Sequence, residues 1–185
     1  MANQTLALTD AQLTRAIQSC GDFQQALSAL TFLLEECDYS VKYSTAALRK
    51  FQCYENAAII AFARPFEVSR GRTVLGTRAA GVRLSGPEEQ LKSKIIDLRR
   101  KVVAHSDDEL MHFRISTLQP FEDSAVALPV LQFHESLRLD PTDVVELQAL
   151  LRKLVRGLTE MLFALAQTQP ERLNVHKLPV SWPSQ

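Results

Sequence analysis

A chain of 185 residues is long enough for one well-formed core and short for two domains. Hydrophobic residues make up 46% and charged residues 23%, an ordinary balance for a globular chain, and the formal net charge is zero, so any nucleic-acid-binding surface has to be local rather than global. The opening "MANQTLALTD" lacks the basic and apolar regions of a secretory leader, and the longest apolar run, "AAIIAFA" at 57–63, is far too short to cross a bilayer.

In chain order, "TDAQLTRAIQSCG" reads as a first short helix. Thr9 caps it, with Gln12 three residues on in capping-box spacing, and Gly21 ends or bends it. "DFQQALSALTFLLEEC" places Phe23, Leu27, Leu30 and Leu34 at three- and four-residue spacing and predicts a second helix. A long third helix follows over 40–66 and is stopped by Pro65. Residues 66–86 carry three interior glycines, Gly71, Gly76 and Gly81, and read as a loop. From Arg64 to Arg83 there are five arginines and one acid, Glu67. Such a loop is a candidate RNA-tracking surface or a solvated connection.

The fourth helix, 85–105, has Ser85 and Glu88 in capping-box spacing and Pro87 in its first turn. "MHFRIS" and "AVALPVLQFHES" predict a hairpin within 110–137. The last long helix starts at Asp140 and Pro141, and the tail 170–185 reads as irregular. The expectation is an all-α bundle of four to five helices over 1–169, with a small β-hairpin inserted before the last long helix. Cys20, Cys37 and Cys53 are an odd, widely spaced set and read as buried free thiols, which suits a reducing, cytoplasmic setting.

The charged residues of the fourth helix carry the functional question. On a straight helical wheel, at about 100° per residue, Leu91, Ile95, Leu98 and Val102 form one apolar stripe. Arg99 and His105 then flank it on opposite sides, roughly 120° apart, and Arg100 points away toward solvent. By spacing alone, Arg99 is a snorkelling edge residue and His105 a cap. If the stripe packs instead across a two-fold axis, two arginines and two histidines converge on one seam. His112, His134 and His176 show no ligand spacing, and no Cys/His metal cluster is present, so neither metal nor cofactor is expected.

The segment "LRRKVVAHSD" resembles the Arg-x(4–6)-His signature of HEPN-domain proteins, in particular their abortive-infection branch. Leu98, Arg99, Lys101, Ala104, His105, Ser106 and Asp107 match that pattern, and "AAIIAFARPF" upstream is similar to the same branch. The position after the motif arginine, usually a small polar residue, is Arg100 here. The resemblance implies a HEPN-like bundle that dimerises through its motif helices. It also implies metal-independent RNA cleavage by Arg99 and His105, in the setting of a toxin or antiphage effector with an antitoxin partner. Other members of the family are non-catalytic modules that bind RNA or protein.

The residue chemistry suits that reading. Histidine, with an unperturbed pKa near ~6.5, serves as base or acid at neutral pH, and arginine holds a phosphate as its charge builds. Arg100, Lys101, Arg64, Arg70 and Arg72 are the candidate substrate-binding cations.

Overall fold

A computed structural model describes residues 8–68, 73–78, 81–103, 113–121, 126–133 and 135–174. Its elements are α1 (Asp10–Glu36), α2 (Thr45–Ala63), a 3₁₀ turn (Arg64–Phe66), α3 (Gly86–Leu98), a π turn (Arg99–Val103), β1 (Phe113–Leu118), β2 (Leu128–Phe133), α4 (Pro141–Thr168) and the short α5 (Pro170–Asn174). The protein is thus mostly helical with one antiparallel hairpin. Among the described residues no helix is long and apolar enough to cross a membrane.

The caps lie where the sequence places them. The Thr9 hydroxyl accepts from the Gln12 N–H at 3.3 Å, and the Gln12 amide oxygen accepts from the Thr9 N–H at 2.9 Å. Ser85 and Glu88 make the reciprocal pair for α3, at 3.4 and 2.6 Å. Asp140 and Asp143 do so for α4, at 2.8 and 3.2 Å. Each box satisfies two backbone donors that the first turn would otherwise leave open.

Gly21 does not break the first helix. α1 runs through it unbroken for 27 residues, because Leu13, Ala16, Phe23, Ala26, Leu30 and Leu33 keep one buried stripe in phase on both sides. That packing outweighs the cost of about 1 kcal/mol of one interior glycine. A Cβ built at Gly21 meets nothing within 4 Å. Gly21→Ala is therefore expected to raise stability by roughly 0.5–1 kcal/mol, read as a higher thermal midpoint.

α2 begins at Thr45 rather than at 40. Asp38 instead makes a local turn, accepting from the Ser40 N–H at 2.9 Å, and Ser44 caps the helix. Pro65 ends it through one 3₁₀ turn, whose Phe66 packs against Phe23 and Phe62 with centroids 5.7 and 5.4 Å away.

The described residues between the 3₁₀ turn and α3 form a loop, as the composition implies, but a packed one. Leu75 and Val82 belong to the core, and the Leu75 N–H donates to the Pro65 carbonyl at 2.8 Å. Gly81 has φ of 72°, a left-handed turn position for which glycine is suited. The main cluster of buried residues joins these two side chains to α1, α2, α3 and the Leu147–Leu158 stripe of α4. Lys94 of α3 pairs with Asp143 of α4 at 2.6 Å, and Glu88 with Lys153 at 2.7 Å, which ties α3 to the first half of α4 at two points.

The hairpin pairs Ile115 with Leu131 and Leu118 with Leu128. Ile115, Leu131 and Phe133 are each more than half exposed. The tail is helical over 170–174, a departure from the irregular reading. There Arg172 ties back to the Leu8 carbonyl at 2.5 Å and to Asp10 at 3.1 Å. The three cysteines are free: Cys37 is buried, Cys20 half-buried and Cys53 exposed. Burial pushes the Cys20 and Cys37 thiols above their ordinary range, as expected of inert core thiols.

Candidate functional site

α3 departs from α-helical geometry where the motif starts. Its last α-helical residue is Leu98, and Arg99–Val103 form a π turn. The Arg99 N–H is shared between the Ile95 and Ile96 carbonyls where the α-helix ends. π turns recur at functional sites because they re-aim side chains that a regular helix would spread apart. A straight α-helical wheel therefore does not describe residues 99–103.

Arg100 was expected to point to solvent, opposite the stripe. It converges with Arg99 on a single carboxylate. The Arg99 Nε lies 3.0 Å from Glu67 Oε2, and the Arg100 Nε donates to Glu67 Oε1 at 2.9 Å. The Glu67 side chain is only 13% exposed, against 37% for Arg99 and 58% for Arg100. The acid is thus the inner member of the triad and the arginines face the opening.

This triad forms one wall of a cleft of about 800 Å³. The cleft is also lined by Arg15, Gln18, Gly21 and Asp22 from the middle of α1 and by Arg64 at the end of α2. Arg15 is 4% exposed, and its guanidinium donates to the Arg64 carbonyl. The Arg64 side chain pairs with Asp22 at 3.2 Å and donates to Gln25 at 3.3 Å. Among the described residues that line it, four arginines face two carboxylates, a local excess of positive charge in a neutral protein. Glycine at position 21 keeps the α1 wall free of a side chain.

Of the sequence-predicted site residues, Arg64, Arg99 and Arg100 are brought together here. Lys101 is exposed and is not among the residues lining the cleft. His105, Arg70 and Arg72 lie outside the described residues, as do His112, His134 and His176. Sequence reasoning missed Arg15 and Glu67. Arg15 did leave a signal, being a cation set between Leu13 and Ala16 on the apolar side of α1. Glu67 left a weaker one, as the lone acid among the arginines of 64–83.

The arrangement can hold an anion with a planar face, since guanidinium groups offer paired donors to carboxylate and phosphate oxygens alike. The two carboxylates in the cleft are both engaged by arginine, which leaves proton transfer to a residue beyond this set. Among the described residues, no group of three or more His, Cys, Asp or Glu side chains is placed to hold a metal ion. Comparisons with protein-family models, with curated proteins and with solved structures found no match to this chain.

Proposed function

We propose that this chain is a metal-independent endoribonuclease of the HEPN type, a cytoplasmic toxin or antiphage effector that acts as a homodimer. The observation that carries the proposal is the convergence of Arg99 and Arg100, through the π turn, on a cationic cleft shared with Arg15 and Arg64. In this reading Arg99 and His105 are the catalytic pair. One imidazole takes the 2′-hydroxyl proton, and the freed oxygen attacks the adjacent phosphorus. The bond to the 5′-oxygen breaks, and that oxygen receives a proton from the second protomer's imidazole. Arginine stabilises the phosphorane charge as it develops. An antitoxin protein would be the regulating partner.

A second reading, a non-catalytic helical dimer that binds RNA or a protein partner, draws on Glu67. Its carboxylate gives both motif arginines an internal partner, as a purely structural triad would need. RNA cleavage in the presence of a chelator separates the two. Cleavage by the wild type that is lost in His105→Ala supports the nuclease. No cleavage by the wild type, together with loss of the dimer in Arg99→Ala, supports the binding module.

A further inference from the structure

We propose that the Arg99–Arg100 pair is a phosphodiester subsite that Glu67 occupies in the free protein, and that RNA binds by displacing this carboxylate. The inference rests on the reading of the cleft as an RNA site.

Three features of the structure lead to it. The first is the form of the contact. The two oxygens of one carboxylate are divided between two guanidinium groups, at 3.0 and 2.9 Å. A phosphodiester presents two non-bridging oxygens in the same way and carries the same single charge, so one anion can replace the other without changing the charge of the cleft. The second is the tether. Glu67 follows the 3₁₀ turn in extended geometry. Its backbone N–H reaches the Arg64 carbonyl only at 3.5 Å, and Val68 beside it is 86% exposed. The backbone that carries the carboxylate is thus held by one long contact rather than by a regular element. The third is the contrast with the other acid: among the described residues Asp22 pairs with Arg64 through one oxygen, whereas Glu67 bridges two guanidinium groups.

The partnership also explains why an additional arginine stands at position 100. One guanidinium shared with Glu67 would be neutralised. Two leave the triad with a net positive charge that still attracts a polyanion.

The test is binding of a fluorescein-labelled 2′-O-methyl oligoribonucleotide, whose blocked 2′-oxygen prevents cleavage, measured by anisotropy across a salt series. The full chain is compared as wild type, Glu67→Gln, Glu67→Ala and Glu160→Gln. Glu160 pairs with Arg156 on the exposed face of α4 and controls for the change in overall charge. Both Glu67 variants are expected to bind roughly tenfold tighter, within what two half-exposed ion pairs can withhold. The slope of log affinity against log salt should steepen by about one, because freed arginines release more counterions on binding.

Wild-type binding that is unchanged or weaker in both Glu67 variants, with helicity retained, overturns the displacement proposal and leaves the RNA site standing. An equal gain in Glu160→Gln overturns it as well, by showing a general charge effect. No binding by any variant removes both the subsite and the RNA reading on which it rests.

Discussion

Alanine at position 105 is expected to lower metal-free RNA cleavage by roughly 10²–10⁴-fold, the range for losing a positioned general acid–base group. The measurement is the single-turnover rate on a labelled single-stranded RNA in chelator, with dimer and helicity checked in parallel. Arg99→Ala should cost about 10²–10³-fold, since it removes a fixed charge at the developing oxyanion. The two losses have different signatures. The imidazole acts through its protonation state, so its removal flattens the pH–rate profile between about 5 and 8. The arginine stays charged throughout that interval, so its removal lowers the profile without changing its shape. A double variant no slower than His105→Ala alone would show that the two side chains act as one unit. Equal cleavage by wild type and His105→Ala would remove the catalytic assignment.

The second large effect concerns stability and lies away from the cleft. Glu55 of α2 is fully buried, and its Oε1 accepts from the backbone N–H groups of Arg138 and Leu139, at 2.7 Å each. These two donors belong to the chain just before α4, so one side chain docks the start of the last helix on the bundle. Glu55→Ala leaves both donors without an acceptor and is expected to cost roughly 3 kcal/mol, at about 1–3 kcal/mol for each buried orphan. Glu55→Gln keeps an acceptor oxygen and should cost about 1 kcal/mol or less. Denaturant unfolding of the three proteins checks the difference. Equal losses in the two variants would mean that charge, not hydrogen bonding, governs the site.

Glu55 also sets a sign for pH. Burial raises its pKa above the ordinary glutamate range, and the two backbone donors and Arg138 offset that only in part. A raised carboxyl favours the folded state while it is protonated. That contribution is fully present below the unfolded value and is lost as pH rises through the folded one. Wild-type stability should therefore fall relative to Glu55→Gln as pH climbs through and above the ordinary glutamate range.

The exposed apolar side chains of the hairpin bear on handling the protein. A two-stranded sheet with Ile115, Leu131 and Phe133 mostly open to solvent is marginal by itself. Its strands were legible in the extended stretches "MHFRIS" and "AVALPVLQFHES", which overlap 113–118 and 128–133, but nothing local reveals which face would be covered.

What the sequence by itself determined was local. The capping boxes at Thr9, Ser85 and Asp140, the stop at Pro65 and the apolar stripes of the four long helices all depend on residues three or four positions apart. Those interactions form wherever the segment is placed. Arg99 and Arg64 were legible as candidates for a similar reason, because a motif and a helix end are written in consecutive letters.

The tertiary structure decided the rest. Whether Gly21 breaks α1 depended on α2 and α4 gripping both halves of it. Whether 66–86 is free depended on Leu75 and Val82 finding the core. That Arg100, exposed as expected, shares one carboxylate with Arg99 depended on a residue 33 positions away. Each outcome rests on contacts between segments distant in sequence, and periodicity carries no information about which distant segment will supply a partner.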